Sequence, residues 1–282
     1  MIASQAMALA GVSAICFGSA LVTAKFGLRS LDARAGAAVS IPSATLLLVL
    51  TAPFALDVSG FTLAAALIFA AVGIFFPAVV TLLTFAANDR LGPSATGTVS
   101  STAPLFALAA AFAFLGERVP ARALVATAAV VAGVALLSWR GGALMRRALW
   151  LPLAGAALRG IVQVAAKAGL GLWPSPFAAS LIGYTVSSVT VTLAARGRRQ
   201  SGERGALLWF MLTGLLNGFA VLLMYAALSA APVSLVAPVV AGYPLVTVLL
   251  GAAVLREEAL SVRSVAGALL IVGGIAYLVA GA

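Results

Sequence analysis

The chain has 282 residues, of which 63% are hydrophobic and 9% are charged, and its formal net charge is +10. This apolar share is far above that of a soluble domain, so the composition indicates an integral membrane protein. The sequence has no histidine and a single cysteine, Cys16, which excludes disulfides, histidine-based catalysis and Cys/His zinc sites within one chain. We therefore expect a protein that is not an enzyme and that holds no metal and no cofactor.

Ten mostly apolar runs follow one another between short charged loops, and each is long enough to cross a bilayer as a helix. The first lacks the basic segment of a cleaved signal peptide, so we interpret it as a retained helix. The pattern predicts an all-α membrane protein with ten spans. They lie near Met7–Phe26, Ala37–Leu56, Leu63–Ala87, Ser94–Leu115, Ala121–Trp139, Leu149–Leu170, Phe177–Ala195, Ala206–Leu228, Val233–Leu255 and Val262–Ala280.

The two halves of the sequence repeat each other. Pro104 recurs as Pro244 and Glu117 as Glu257, each 140 positions later. Further matches place Gly18, Lys25, Gly27, Gly73 and Gly133 opposite Gly160, Lys167, Gly169, Gly214 and Gly273. We therefore expect a five-helix repeat in residues 1–140, a connecting loop in 141–148 and a second repeat in 149–282. Because five is odd, the second repeat enters the membrane from the opposite side, which is the inverted topology typical of secondary transporters.

Several of these motifs carry a family resemblance that covers almost the whole chain. They are the Gly18 to Lys25 pattern, the Pro104 to Glu117 segment ending in LGER, its echo LREE at Leu255–Glu258, and the Gly133 helix. With them the sequence resembles the ten-helix EamA branch of the drug/metabolite transporter superfamily. The resemblance implies a transporter, often an exporter of amino acids or other metabolites, with a central cavity lined by spans 1, 3, 4, 6, 8 and 9. The chain departs from this pattern at Arg159, which stands opposite Phe17, and at Arg256, which stands opposite Gly116.

The distribution of basic residues predicts the orientation in the membrane. Twelve of the 17 Lys and Arg fall in odd-numbered loops, whereas the even-numbered loops hold only Arg118 and Arg122. By the positive-inside rule the odd loops face the cytoplasm and both termini lie outside, opposite to the orientation that the resemblance implies. Because the charge sits in loops and encodes topology, we expect no nucleic-acid partner. The expected location is a bacterial inner membrane, as a multi-pass protein.

Three basic residues lie within the spans and are candidate substrate ligands. Arg159 is near the middle of the sixth span, where a guanidinium facing lipid is costly, so we expect it to face a wet cavity or a polar partner. Gln163 and Lys167 follow at i+4 and i+8 and can share its face. Two alternatives stay open: Lys25 and Lys167 reach the interface as snorkelling side chains, or the sixth helix begins later and Arg159 lies closer to the interface.

Polar and aromatic residues in spans 3, 4, 8 and 9 complete the candidate site. They are Thr81, Thr84, Ser100, Asn217, Tyr225 and Tyr243, with Phe75, Phe76 and Phe85 as apolar walls. Pro104 and Pro244 fall in the middle of their spans, where we expect kinks that act as hinges or merely set the shape. Glu117 and Glu257 are expected to end helices and to pair with nearby arginines such as Arg118, Arg122 and Arg263.

All seven acidic residues fall in loops or at span ends, so the sequence lacks the embedded carboxylate that a proton-coupled exporter of cations needs. Our first hypothesis is a secondary carrier that exports amino acids, including aromatic or other apolar ones, or related zwitterionic or anionic metabolites, by alternating access. An exchanger of phosphorylated or nucleotide-linked metabolites and a multidrug exporter are the alternatives. The expected partners are a small-molecule substrate and the lipid bilayer, with a monomer favoured over an obligate oligomer.

Overall fold

The computed structural model describes residues 2–138, 148–195, 204–255 and 262–280. Within these ranges the regular structure is helical. Irregular or π-helical segments at Ile74–Val79 and Gly251–Leu255 follow α3 and α11. The helices, in chain order, are α1 (Ile2–Gly27), α2 (Ala33–Ala55), α3 (Leu63–Gly73), α4 (Val80–Ser100), α5 (Ala103–Leu115), α6 (Ala121–Ser138), α7 (Trp150–Leu172), α8 (Pro176–Ala194), α9 (Arg204–Ala230), α10 (Val233–Val240), α11 (Tyr243–Leu250) and α12 (Val262–Ala280).

These helices form the ten predicted spans of the described chain. Seven helical stretches are long and apolar enough to cross a membrane, and three shorter apolar helices complete the set. The third span consists of α3 and the first part of α4, the fourth of the end of α4 with α5, and the ninth of α10 with α11. Each other span is a single helix. Loops separate the other neighbouring spans, whereas the third and fourth spans share α4.

Local capping fixes where several spans begin. The first N–H groups of a helix have no partner within the helix, so a polar side chain just before it stabilises the start. The Asp32 carboxylate accepts from the Ala35 amide over 2.7 Å at the start of α2. The Ser175 hydroxyl accepts from the Ala178 amide over 3.2 Å at the start of α8.

The fourth and ninth spans are broken just before Pro104 and Pro244, which is more than the kink expected from sequence. α5 begins at Ala103 and α11 at Tyr243, so Pro104 and Pro244 each lie in the first turn of a new half-helix. Proline is tolerated there because the N–H that it lacks would be unpaired anyway. The breaks are also equivalent in their hydrogen bonds: the amides of Leu105 and Leu245 donate to the carbonyls of Thr102 and Gly242 over 2.9 and 3.0 Å.

Glycines let the two repeats interlock at these breaks. A Cβ added at Gly18 of α1 would lie 2.6 Å from the Tyr243 carbonyl oxygen, and one at Gly160 of α7 would lie 2.8 Å from the Ala103 carbonyl oxygen. The first helix of each repeat therefore packs on the half-helix of the other repeat. This exchange of equivalent contacts is the structural form of the inverted repeat read from the sequence.

The same exchange recurs nearer the membrane surfaces, with one correction. The rings of Phe210 and Phe69 fill the space over Gly27 and Gly169, as the repeat predicts. Gly133 packs against the Gly267 carbonyl of α12, but its packed counterpart is Gly274, where a Cβ would lie 3.1 Å from the Ala126 carbonyl. Gly273, the predicted counterpart, has open space around it. In the last span the glycine that packs against α6 therefore lies one residue after the position predicted by the 140-residue spacing.

Candidate functional site

A small cavity lies where five spans meet near their midpoints. The space that water can occupy is about 30 Å³, room for about two water molecules and too little for an amino acid. In this conformation the cavity is therefore nearly closed. Its walls come from α1, α4, α7, α9 and α11, through Phe17, Ala20, Leu21, Thr81, Thr84, Phe85, Arg159, Asn217 and Tyr243.

Arg159 gives the cavity its charge. Its guanidinium lies over the rings of Phe17, Phe76 and Tyr243, with 5.4, 5.9 and 5.5 Å between the guanidinium carbon and the ring centroids. Aromatic faces attract a cation, so the three rings hold the charge in place. Among the residues that the structure describes, neither a carboxylate nor a carbonyl accepts a hydrogen bond from this guanidinium. Its donors thus remain available to a ligand.

An interruption of the third span places Phe76 against Arg159. Phe76 has an extended backbone, with φ −138° and ψ 124°, and the peptide bond to Pro77 is cis. Pro77 has no N–H to donate to the Gly73 carbonyl one turn earlier. The buried Ser187 hydroxyl of α8 donates to that carbonyl instead and accepts from the Ala78 amide over 3.2 Å. Ser187 thereby satisfies the backbone that the interruption leaves open.

The repeat shows that the two halves furnish the site differently. Arg159 stands opposite Phe17, and Asn217 stands opposite Phe76, at equivalent positions of the two repeats. In each pair the second repeat supplies the polar side chain and the first repeat supplies an aromatic ring. Pseudo-symmetric positions thus build a cavity with a polar pole and an apolar pole.

Of the predicted site residues, the structure brings Arg159, Thr84, Asn217 and Tyr243 together in the cavity wall, with Phe76 beside them. Gln163, Tyr225 and Ser100 are buried at 3%, 2% and 7% exposure but are not among the described lining residues. Phe75, expected as a wall, is 46% exposed on the outer surface of the bundle.

The two predicted lysines lie at span ends, away from this wall. The Lys167 ammonium donates to the carbonyls of Leu228 and Ala231 over 2.6 and 3.1 Å, so it caps the C-terminal end of α9. Lys25 is half-buried near the end of α1. Lys167 therefore stabilises a helix end in this conformation.

Glu117 also has a backbone role, which corrects the expected pairing with arginines. Its carboxylate accepts from the amides of Val233 and Ser234 over 3.1 and 3.3 Å and so caps the start of α10. Lys167 interacts favourably with this carboxylate. The two charges together hold the turn between α9 and α10. The repeat counterpart Glu257 lies outside the described residues.

Sequence reasoning missed Phe17, Leu21 and Tyr184 as residues of this region. The sequence distinguished Phe17 only as the repeat counterpart of Arg159. This relation points to the site only once the two repeats are known to pack against each other. Tyr184 is 1% exposed, and within the described part of the chain its hydroxyl has no hydrogen-bond partner. No spacing in α8 distinguishes it from a core residue.

A wider opening lies between the ends of α2, α4 and α7, on the side of the odd-numbered loops. Its volume is about 500 Å³, its floor includes Leu82 and Leu83, and its rim carries Asp32, Arg34, Asp89, Arg90 and Trp150. Leu82 and Leu83 lie between Thr81 and Thr84 of the central cavity along α4. One helix therefore separates the opening from the site.

Comparison with known proteins agrees with this architecture. The model of the EamA-like transporter family matches residues 4–139 and again residues 146–280. Among solved structures 28 chains match, and one of them, a crystal structure, is 18% identical with a TM-score of 0.78 over 97% of this chain and 96% of that chain. At this identity the likeness shows the fold. No curated protein sequence matches.

Proposed function

We propose, from the premise that this chain belongs to the EamA-like transporter family, that it carries amino acids with apolar or aromatic side chains, or closely related metabolites, out of the cell. Membership of the family makes the chain a multi-pass membrane transporter of the drug/metabolite type. The substrate class, the alternating-access mechanism and the bacterial inner membrane as its location are our proposals.

The single observation that carries the proposal is the unpaired guanidinium of Arg159 in a mid-membrane cavity. A charge removed from water is stabilised by an opposite charge with good hydrogen-bond geometry, and a carboxylate offers two oxygens to a guanidinium. A substrate carboxylate is the group that this cavity lacks. A lipophilic cation would be repelled by Arg159, which disfavours multidrug export.

The aromatic rings support an apolar substrate body. Phe17, Phe76 and Phe85 are each less than a tenth exposed and line or border the first-repeat side of the cavity. A phosphate dianion would call for further cations, whereas Arg159 is the one cation among the described lining residues. An amino acid with an apolar side chain matches both poles better than a phosphorylated metabolite.

The placement of the acids bears on energy coupling. The carboxylates of the described residues, Asp32, Asp57, Asp89 and Glu117, lie in loops or at span ends and are not among the cavity residues. Without an embedded carboxylate, movement driven by the substrate gradient or by exchange is favoured over proton antiport. Since the cavity has room for only about two water molecules in this conformation, a rocking of the two repeats must open it to each side in turn.

Uptake of labelled amino acids into proteoliposomes, with and without an imposed pH gradient, tests the proposal. We expect saturable uptake of amino acids with apolar side chains that does not need the gradient. Transport of phosphorylated metabolites or cationic dyes in place of amino acids would contradict the substrate class.

The Arg159→Gln variant tests the role of the guanidinium in the same assay. Losing a buried charge-assisted contact should lower the apparent affinity roughly tenfold to a hundredfold. Arg118→Gln, which removes an exposed arginine in a loop, is the matched control and should leave uptake unchanged. Equal uptake by the two variants, in correctly folded protein, would sink the assignment of Arg159 to the substrate.

A further inference from the structure

Among the residues that the structure describes, two buried polar atoms near Arg159 have no hydrogen-bond partner. They are Oε1 of Gln163 in α7 and the hydroxyl of Tyr184 in α8, and the two side chains are 3% and 1% exposed. Buried polar groups in folded proteins are nearly always paired, so each unpaired group needs a physical reason. The transport function proposed above does not by itself use either of them.

Helical register places Gln163 next to Arg159. The two are four residues apart in α7 and lie on one face, about 6 Å apart along the axis. One turn further on the same face, Lys167 reaches the Leu228 carbonyl of α9. Gln163 is therefore directed at the interior between α7 and α9, as Arg159 and Lys167 are.

Tyr184 approaches the same point from α8. The residue before it, Gly183, packs against Gly73, where a Cβ would lie 2.6 Å from the Gly183 carbonyl oxygen. Gly73 is three residues before Phe76, whose ring lies over Arg159. Tyr184 also lies within electrostatic range of Arg159 and Tyr225. Its hydroxyl thus lies on the Arg159 side of α8.

The chemistry of the unpaired atoms complements that of Arg159. The guanidinium offers only donors, whereas an amide oxygen accepts and a hydroxyl accepts or donates. An α-amino acid presents the matching pair of groups on a single carbon, a carboxylate that accepts and an ammonium that donates. The separation of one helical turn suits this unit together with its hydrogen bonds.

We propose that Gln163 and Tyr184 form an amino-group subsite, which accepts hydrogen bonds from the substrate ammonium while Arg159 binds the carboxylate. The inference rests on the proposed function and narrows it: the carrier selects zwitterionic α-amino acids over simple carboxylic acids. A ligand without the amine leaves both acceptors unpaired, as they are in the empty protein, and so gains none of the binding that the ammonium obtains there.

Competition with labelled phenylalanine in proteoliposomes tests this subsite, with unlabelled phenylalanine and 3-phenylpropanoate as competitors. In the unchanged protein we expect phenylalanine to compete at least roughly tenfold better than 3-phenylpropanoate. Gln163→Met and Tyr184→Phe keep the side-chain volume but remove the acceptor or the hydroxyl. Each variant should reduce the competition by unlabelled phenylalanine toward the level of 3-phenylpropanoate. The inhibition by 3-phenylpropanoate should stay unchanged.

The controls separate this inference from the function on which it rests. Thr185→Val changes the exposed neighbour of Tyr184 and should preserve the preference. If neither compound competes in the unchanged protein, the proposed substrate class is wrong. If both compounds compete but Gln163→Met and Tyr184→Phe keep the full preference for phenylalanine, the transport proposal stands and the subsite is wrong. The same holds if the two variants reduce the competition by both compounds equally.

Discussion

At the scale of the residue, glycine sets how closely the repeats approach each other. Gly160 lies against the Ala103 carbonyl and the Phe106 side chain, where a Cβ would come within 2.8 and 2.7 Å. Contacts this short force backbone shifts, because the α5 main chain cannot yield as a flexible side chain can. The glycine is thus required by the break at the start of α5, next to Arg159.

We expect Gly160→Ala to destabilise the protein by about 1–3 kcal/mol and to lower transport, because α7 must move away from α5 and carry Arg159 with it. Gly171→Ala is the matched control, since Gly171 lies in the same helix with open space around its Cβ position. Thermal unfolding in detergent and amino-acid uptake measure the two effects. Equal unfolding midpoints for the two variants would contradict the packing argument.

Individual site residues were predictable where their chemistry is conspicuous. A charged residue in the middle of an apolar span is costly in lipid, and so Arg159 could be placed at a wet or polar site from sequence. Phe17 and Tyr184 could not be placed at the site from sequence, because an aromatic residue in a membrane helix is equally compatible with the protein core and with the lipid-facing surface. Lys167 was ambiguous because its backbone acceptors, Leu228 and Ala231, lie on another helix.

At the scale of the element, two charges fix the turn that connects the eighth and ninth spans. Glu117 caps the first amides of α10, and Lys167 caps the last carbonyls of α9. Both groups belong to other elements, the loop after α5 and the helix α7. These hydrogen bonds connect the turn to two further spans. If this end of the bundle opens, the bonds must break or the connected elements must move together.

Replacing Glu117 by Ala should release the start of α10 and destabilise the protein by about 0.5–2 kcal/mol, the usual value of an N-cap. Arg118→Ala, at the exposed neighbouring position, is the control and should have little effect. Thermal unfolding of the purified protein decides between them. A Glu117→Ala protein as stable as the control would show that the cap contributes little.

The bounds of whole elements followed from the sequence, but their interruptions followed less well. Runs of apolar residues between charged loops are long-range signals of a span, and the predicted spans match the helices except between the third and fourth, where the predicted loop lies inside α4. Pro77 was included in an uninterrupted third helix, because proline is tolerated in membrane helices. What decides its effect is Ser187, more than 100 residues away, which no local pattern connects to it.

At the scale of the whole molecule, the repeat creates symmetry and the site departs from it. The breaks before Pro104 and Pro244 lie at equivalent positions of the two repeats. The cavity between them is asymmetric, with Arg159 and Asn217 facing the rings that replace them in the first repeat. A carrier whose frame is symmetric can thus hold a substrate whose two ends differ.

The orientation of this frame is the last whole-molecule prediction. Twelve basic residues lie in odd-numbered loops, so both termini should lie outside the cytoplasm. We expect a periplasmic phosphatase fused to the C-terminus to be active and a fluorescent protein fused there to be dark. The same fusions in the loop between the repeats, as the internal control, should give the opposite result.

This orientation also decides on which side of the membrane the wider opening lies. The opening of about 500 Å³ lies on the side of the odd-numbered loops, next to Arg34 and Arg90. With that side in the cytoplasm, the opening lies where an exporter collects its substrate, and only α4 separates it from the central cavity. A fluorescent C-terminal fusion would instead place the opening outside the cytoplasm. The opening would then lie on the side where an exporter releases its substrate.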